Sequence, residues 1–578
     1  MRLITRLRSR LPDVRREDGF SMIAVVSAIA LTTMLGTAAV ALSNGDQGAL
    51  RHDFDQKRAY LAAQSGIADY TYHLNNDSGY WARCTSVPTP NAVNLNMNGK
   101  PSNTRQVPGS TDGSRYGIEL LQATTSPGNS QCDSSNPNAT MLEASGANTG
   151  TFRIRSTGMA GAGVTPTARC GDSGVTCSSI VATYKQATFL DYVYFTQLET
   201  SDPVTYGFAN PSTQLTGAYS QCTKFRRDGR ESVNIPGTTQ KCDQIVFVGG
   251  DKIDGPLHTN DDLRVCGSPT FGRNGADVTE VSAPPVGWAS GNNCSGNPTF
   301  TAPLITRAPV LTPPSTNTSL KTIAGPANTY TGQTKIVLSG NTMTITPNGG
   351  SPVGPIAVPT DGVVYVQNGA GCSNSYSPFT VTYPQTSNCG NAIVDTGGSS
   401  YSGQLTIAAE NDVIIDGDIR RTSSSADLLG LIANNFIRVK HPVCESTDLN
   451  CAGGTGVPGS VTEEAAKGDC DLDNDGNRAV NGTGSAEQAS GSQDLTIDAA
   501  LLSIDHSFIV DHYDCGSELG TLTVNGAISQ KFRGAVGTTG GTGYIKDDNY
   551  DDRLRFQEPP HFFDPIQSSW HVQRETLG

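Results

Sequence analysis

Charged and aromatic residues are both scarce in this chain. Asp, Glu, Lys and Arg make up 16% of its 578 residues, and Phe, Trp and Tyr make up 7%. Globular proteins average about 25% charged residues. The sequence also lacks the P-loop phosphate motif, the H-E-x-x-H zinc motif, the G-x-S-x-G nucleophile motif and the glycine-rich dinucleotide fingerprint. These absences argue against a helical enzyme core, and we expect no enzyme and no catalytic residues.

A basic stripe is missing beyond the leader, and the formal net charge is −14. Proteins that bind nucleic acid usually carry a basic stripe or patch. We therefore expect no nucleic-acid partner.

Glycine, proline and small polar residues are abundant instead. The chain contains 64 Gly and 32 Pro, a composition that favours short strands and tight turns. Its length suffices for two or three domains, each with its own core. The composition predicts an α+β, mostly β fold.

A faint repeat runs through the later part of the chain. Ile253–Leu257, Ile415–Ile419 and Val524–Ile528 share one pattern: aliphatic, Asp or Asn, Gly, any residue, aliphatic. Asx-Gly supplies the positive φ that a corner between two short strands requires. The repeat predicts a large β-solenoid-like ectodomain over residues 204–578, with an exposed insertion at 452–493. Because the spacing is irregular, a β-sandwich is the alternative.

The N-terminal segment is apolar over a long distance. No charged residue occurs from Phe20 to Leu42, which is long enough to cross a hydrocarbon core of about 30 Å. Six arginines precede this run, and such a bias holds an N-terminus in the cytoplasm. We expect a single-pass protein of the cytoplasmic membrane with its C-terminal part outside. Apolar residues continue at three- and four-residue steps without proline, which predicts one long transmembrane and stalk helix over 20–75.

The basic leader that ends at Gly19, the following Phe20 and the stretch Ala59–Gly66 resemble the N-terminus of type IV prepilins. The similarity is greatest to the PilX-like minor pilins. The resemblance implies that a prepilin peptidase removes the leader, residues 1–19, and that the new Phe20 amine is methylated. It also implies partners, namely other pilin subunits, the pilus assembly machinery and the membrane, and a final location at the cell surface or in a pilus.

The same resemblance implies a function. The chain would be a minor pilin or pilin-like subunit of a type IV pilus or pseudopilus, acting in fibre assembly, surface display or adhesion. Most pilins carry Glu at the fifth mature position, where this chain has Ala24, and this departure favours a minor or tip subunit. A pilin helix is followed by a small antiparallel head, and the β patterns at Thr151–Gly158 and Ser179–Glu199 place this pilin-like β domain at 80–203.

Other interpretations stay open at this stage. Ala39–Ala41 has the form of a secretory cleavage site, although the apolar run before it exceeds the usual 7–15-residue signal core. The run also fits a plain membrane anchor. The rival function is a secreted or membrane-anchored β-solenoid protein that acts on or binds polysaccharide. Enzymes of that kind place paired carboxylates in an open groove, and the sequence contains no recognisable pair.

Cysteines number 14, and none lies in a C-x-x-C motif. On the oxidising side of a membrane we expect them to form disulfides. The candidate pairs are near neighbours in sequence: Cys170/Cys177, Cys222/Cys242, Cys266/Cys294, Cys372/Cys389 and Cys444/Cys451.

An acidic turn is the one candidate metal site. Asp471, Asp473 and Asp475 precede Gly476, and carboxylates at this spacing converge on Ca²⁺ when the chain turns at glycine. An EF-hand also needs Glu at the twelfth position, which here is Gly482. The sequence therefore leaves two alternatives, a partial Ca²⁺ site or a solvated acidic turn. We expect no other cofactor.

Three further motifs have structural interpretations. Cys170–Gly174 (CGDSG) is similar to a serine-protease nucleophile loop, but no suitable His base precedes it, so a turn is expected. The pairs Asp505-His506 and Asp511-His512 flank a strand, where histidines are usually solvated. The aromatic tail residues Phe562, Phe563 and Trp570 are expected to cap the last coil.

Overall fold

The computed structural model describes residues 20–77, 79–83, 104–124, 141–143, 151–206, 208, 211–292, 294–373, 376–379, 381, 387–422, 426–441, 443–445, 479–481, 494–514, 518–538, 541–566 and 570–577. The α-helices in these residues are α1 (Phe20–Asn76), α2 (Pro211–Cys222) and α3 (Ser319–Ala324). Short 3-10 helices cover Tyr80–Arg83, Phe189–Asp191, Pro203–Tyr206, Arg226–Asp228, Pro326–Asn328 and Asp552–Arg555.

Most of the described residues outside α1 belong to short strands or turns. The strands are β1 (Arg105–Gln106), β2 (Arg115–Leu121), β3 (Thr151–Ala160), β4 (Thr176–Gln186), β5 (Tyr194–Ser201), β6 (Lys252–Asp254), β7 (Leu257–Thr259), β8 (Leu263–Val265), β9 (Thr270–Phe271), β10 (Thr279–Val281), β11 (Trp288–Ser290), β12 (Thr299–Phe300), β13 (Leu304–Thr306), β14 (Thr329–Thr331), β15 (Thr334–Ser339), β16 (Thr342–Thr346), β17 (Val353–Ala357), β18 (Val363–Gln367), β19 (Ala392–Asp395), β20 (Gln404–Ala409), β21 (Val413–Ile415), β22 (Leu428–Ala433), β23 (Ile437–Val439), β24 (Val443–Glu445), β25 (Ala479–Asn481), β26 (Leu495–Ile497), β27 (Ala500–Ser503), β28 (Phe508–Val510), β29 (Glu518–Arg533), β30 (Gly537–Thr538), β31 (Thr542–Tyr550) and β32 (Trp570–Leu577).

The long helix α1 has the expected extent, but its expected membrane-spanning character is wrong. Within the part of the chain that the structure describes, no helix combines the length and the apolarity needed to cross a membrane. The expected transmembrane helix and the expected single-pass location in the cytoplasmic membrane are therefore wrong.

A five-stranded antiparallel sheet, which we call the head, lies against the second half of α1. Its strand order is β1-β2-β3-β4-β32. Alternate side chains of each strand point toward the helix, and the aromatic rings of Phe152, Tyr184 and Trp570 pack together beneath it. Helix and sheet approach each other so closely that a Cβ added to Gly158 would lie 1.9 Å from the carbonyl oxygen of Ala59. Only glycine fits at this position.

The head is completed by the C-terminal strand of the chain. β32 pairs antiparallel with β4, and Trp570 lies in the head core rather than over the last coil as expected. β5, whose residues the sequence assigned to the head, instead pairs in parallel with β7 and β29. The expected boundary at residue 203 therefore lies earlier, after β4, and everything from β5 to β31 is inserted between two neighbouring strands of the head.

The inserted region is a parallel β-solenoid, so the large domain is β-rich as expected and the β-sandwich alternative does not hold. One face stacks ten parallel strands in the spatial order β13-β10-β7-β5-β29-β27-β22-β20-β18-β14. A second face stacks β15, β19, β21, β23 and β28 in parallel. Aliphatic side chains from facing strands fill the interior.

The coils do not follow one another in sequence order. From β5 the chain winds outward through β7 and β10 to β13, and residues 307–328 then connect to β14 at the other end. From β14 it winds back to β29, which pairs with β5 in the middle of the stack. This junction of β5 and β29, which we call the seam, joins the two halves of the solenoid.

Corners of the solenoid depend on close packing. At Gly255 a Cβ would lie 2.4 Å from the Cβ of Tyr550, and at Gly526 it would lie 1.9 Å from the oxygen of Ala499. Neither glycine has a positive φ, so the expected reason for Asx-Gly is wrong at these two corners. Glycine is required there because the adjacent coil leaves no room for a side chain.

Candidate functional site

The helix α1 has two halves with different surroundings. From Ala59 to Leu74, one face of the helix is buried against the head. From Val25 to Leu35, the aliphatic side chains are exposed to between 56% and 73%: Val25, Val26, Ile29, Leu31, Met34 and Leu35. At 3.6 residues per turn these six side chains are distributed around the whole helix, and together we call them the apolar face of α1.

The hydroxyl groups beside the apolar face add little polarity to it. Thr32 donates to the oxygen of Ala28 at 2.8 Å, and Thr33 donates to the oxygen of Ile29 at 2.7 Å. Because these hydroxyls bond to their own helix, they need no water. The segment therefore presents an apolar surface that nothing in the described chain covers.

Polar contacts fix how the helix sits on the head. Nη1 of Arg105 donates to both carboxylate oxygens of Asp69, at 3.0 and 2.9 Å. On the opposite side, the Ser156 hydroxyl donates to the oxygen of Ala63 at 2.8 Å. These bonds set the rotation of α1, and so they set the direction in which its exposed half projects.

Several predicted site residues fall outside the described residues. Phe20 is the first residue of α1, whereas Gly19 is not among the described residues. The same holds for Asp471, Asp473 and Asp475, so Ca²⁺ binding there stays a prediction. Among the residues that are described, no three His, Cys, Asp or Glu side chains are grouped so that they could hold a metal ion.

Four of the candidate cysteine pairs are disulfides in the structure. They are Cys170–Cys177, Cys222–Cys242, Cys266–Cys294 and Cys372–Cys389, with Cα–Cα distances of 5.8, 5.6, 5.6 and 4.6 Å. Cys451, of the fifth candidate pair, lies outside the described residues. Each disulfide closes a short loop, which limits the unfolded chain and stabilises the fold by about 2–4 kcal/mol.

The CGDSG segment is a turn inside the first of these disulfide loops. The Asp172 carboxylate accepts a hydrogen bond from the backbone N–H of Arg169 at 2.8 Å. This bond closes the turn on itself.

The expected solvation of the two histidines, His506 and His512, is wrong for both. The imidazole of His506 donates from Nδ1 to the buried Asp202 at 2.8 Å, and the Tyr219 hydroxyl donates to the same carboxylate at 3.2 Å. Burial opposes the charge of His506, but the carboxylate of Asp202 outweighs it, and the pKa of His506 is raised. Asp511 and His512 are almost fully buried.

A segment inside the loop that the Cys372–Cys389 disulfide closes covers Asp511 and His512. Tyr376 donates its hydroxyl to Asp511 at 2.6 Å, and His512 donates from Nε2 to the oxygen of Val381 at 2.8 Å. The guanidinium of Arg438 contacts both Asp511 and Asp412, at 2.9 and 3.2 Å. Burial raises the pKa of Asp511 well above its usual range and lowers that of His512 to about 4. Because Asp511 and the Nε2 of His512 bond to the covering segment away from solvent, they hold this segment in place.

Paired carboxylates do occur on the second face of the solenoid. Lys335 lies 2.9 Å from both Asp395 and Asp416, and Lys440 lies 2.5 Å from Asp416. Burial would raise the pKa of Asp416, but the two lysines outweigh it and lower that pKa. Asp416 is therefore ionised near neutral pH and cannot serve as the acid that glycoside cleavage requires.

The Asp202–His506 contact could not be found in the sequence, because the two residues are 304 positions apart and neither stands in a motif. The apolar face of α1, in contrast, follows directly from the apolar run after Phe20. No family model, no curated protein and no solved structure matches the chain.

Proposed function

We propose that the protein is a low-copy, pilin-like subunit that joins a fibre through α1 and displays its solenoid there. The observation that carries the proposal is the division of α1 between a half packed on an antiparallel head and a half with exposed aliphatic side chains. A helix held by a head and projecting an apolar face is suited to packing beside equivalent helices of other subunits.

The energetics of burial support an assembly role for the apolar face. Complete burial of an aliphatic side chain contributes about 1.5–3 kcal/mol. Six such residues supply enough gross free energy to offset the several kcal/mol that association costs in translational and rotational freedom. A single chain gains none of this energy, since nothing described in the chain covers these residues.

The size of the inserted solenoid supports a low copy number. Residues from β5 to β31 lie outside the helix and the head, and they form a body far larger than the head itself. Subunits with so large an insertion cannot all lie side by side along a fibre with closely spaced helices. The solenoid is therefore displayed at few positions, as expected of a subunit for surface display or adhesion.

Processing completes the proposal. Cleavage between Gly19 and Phe20 by a prepilin peptidase, with methylation of the new amine, leaves a mature chain that begins with the first residue of α1. The partners are other pilin subunits and the assembly machinery.

Photo-crosslinking tests the proposal. A photoreactive phenylalanine analogue replaces Ile29 in the apolar face or, as the control, Val353, which is 54% exposed on β17 of the solenoid. We expect the Ile29 variant, but not the Val353 variant, to crosslink to other pilin-like subunits in sheared fibres from the native host. Equal crosslinking at both positions, or none at Ile29, contradicts the proposal.

A further inference from the structure

The head and the solenoid enclose a cleft on the side of the head sheet that faces away from α1. The volume of this cleft is about 850 Å³, within the range of ligand sites in proteins. Its head wall includes Arg153, Thr183 and Arg574, and its solenoid wall includes Glu280. Phe556, from the segment that returns to the head, also lines it.

The three head residues form a row across neighbouring strands. Arg153 on β3 is the register partner of Thr183 on β4, and Thr183 is the register partner of Arg574 on β32. Direct partners point to the same face of a sheet, and strands are about 4.8 Å apart. The row therefore places two guanidinium groups on either side of a hydroxyl, with their backbones about 10 Å apart.

The two arginines differ in how they are held. Arg153 donates to the oxygen of Gln122 at 2.8 Å and lies 3.6 Å from Glu143, which keeps its side chain in position. Arg574 is exposed and, within the described residues, makes no ion pair. Its guanidinium can therefore accept an anionic ligand without first breaking another contact.

The other walls suit hydroxyl groups and an apolar ring face. Glu280 accepts hydrogen bonds from Tyr192 at 2.8 Å and from His258 at 3.1 Å, so its carboxylate is oriented at the cleft wall. Phe556 is 58% exposed and offers an aromatic surface. A guanidinium pair, an oriented carboxylate and an exposed ring together match the carboxylate, hydroxyls and C–H face of a sugar acid.

We propose that this cleft binds an acidic oligosaccharide. A uronate carboxylate would lie between Arg153 and Arg574, with sugar hydroxyls at Thr183 and Glu280 and one ring face on Phe556. The inference names the ligand class for the adhesion role and rests on the proposed function for its biological meaning. The binding itself is independent of fibre assembly, so the two can fail separately.

Calorimetric titration of the purified full-length protein with trigalacturonate tests the proposal. We expect binding that weakens as salt is added, because the contact is between charges. Replacement of Arg574 by Gln removes a charge-assisted contact and should weaken binding roughly ten- to a hundredfold. The matched control is Arg169→Gln, since Arg169 is also exposed but lies directly before Cys170 and does not line the cleft. This control should bind like the unaltered chain.

Two further titrations separate this ligand class from its rivals. Neutral maltotriose should bind at least tenfold more weakly than trigalacturonate, and so should hexaglutamate, which has the charge but not the sugar. Equal binding of hexaglutamate overturns the saccharide assignment, and an unchanged affinity of the Arg574→Gln variant overturns the site. A Phe556→Ala variant that folds normally and binds trigalacturonate as tightly also contradicts the proposed geometry.

Discussion

The carboxylate of Glu199 lies 3.5 Å from the guanidinium of Arg533, although the two residues are 334 positions apart. Both side chains are buried, and the guanidinium also lies over the ring of Phe247 at 3.6 Å. Glu199 belongs to β5 and Arg533 to β29, so this ion pair lies on the seam where the two halves of the solenoid meet. A buried ion pair that forms in only one register helps to specify that register.

Replacement of Arg533 by Ala should therefore destabilise the solenoid strongly. Burial raises the pKa of Glu199, and Arg533 is the main group that opposes this rise. Removal of one partner of a buried pair costs about 3–5 kcal/mol because the other is left uncompensated. Chemical denaturation measures the loss. Lys531→Ala on the same strand is the control, since its pair with Asp505 is partly exposed and is worth at most about 1 kcal/mol. Equal losses in the two variants would mean that the seam pair has no special role.

The His506–Asp202 contact predicts a pH-dependent stability. The pKa of His506 is raised in the folded state, so its contribution is fully present below the unfolded pKa of about 6.5. The contribution is lost as the pH rises through the folded pKa. Denaturation of the unaltered chain and of His506→Gln, from pH 5.5 to 9, should show a stability difference that shrinks with increasing pH. His52→Gln, at an exposed position of α1, should show no such trend, and a constant difference for His506→Gln would contradict the assignment.

The contact between α1 and the head predicts a large effect of one methyl group. In Gly158→Ala the added Cβ would meet the carbonyl oxygen of Ala59 at 1.9 Å, so helix and sheet must separate. We expect a loss of about 1–3 kcal/mol, the usual range for overpacking, and faster proteolysis within α1. Gly275→Ala is the matched control because no atom lies within 4 Å of its added Cβ. If both variants resist protease equally, the close approach of α1 to β3 is not essential.

The four disulfides predict a pattern of thiol reactivity. Without reductant, a thiol-specific label should leave the eight cysteines of these pairs unmodified. Replacement of both Cys222 and Cys242 by Ser should then lower stability by about 3 kcal/mol, since the bond closes a loop with a sequence separation of 20. Peptide mass mapping identifies any labelled site, and modification of Cys222 in the unaltered protein would contradict the pairing.

Local features of the fold could be predicted from the sequence, whereas the pairing of strands that are distant in sequence could not. The extent of α1 follows from apolar residues at helical spacing. Asx-Gly marks the corners at Gly255 and Gly526, but glycine is required there by close packing and not by a positive φ. The sequence places β5 in the head because the alternation of its residues is the same whether a strand lies in an antiparallel head or in a solenoid. The sequence places Trp570 over the last coil because nothing in it indicates that β32 pairs with β4, more than 380 positions earlier. Strand pairing over such distances depends on the whole chain, and no local pattern encodes it.

The candidate sites likewise contain one feature that the sequence reveals and one that it does not. The apolar face of α1 is visible in the sequence because six aliphatic residues occur within one short segment. The arginine row of the cleft is not, since Arg153 and Arg574 become neighbours only through the register of β3, β4 and β32. The membrane span expected from the apolar run is wrong, since no helix within the described residues is long and apolar enough to cross a membrane.

Mass spectrometry of the N-terminus of the protein purified from its native host tests the pilin-like assignment most directly. The proposed processing predicts a mature chain that begins with methylated Phe20, the first residue of α1. An intact N-terminus at Met1, or a chain that begins near Leu42, would contradict the assignment.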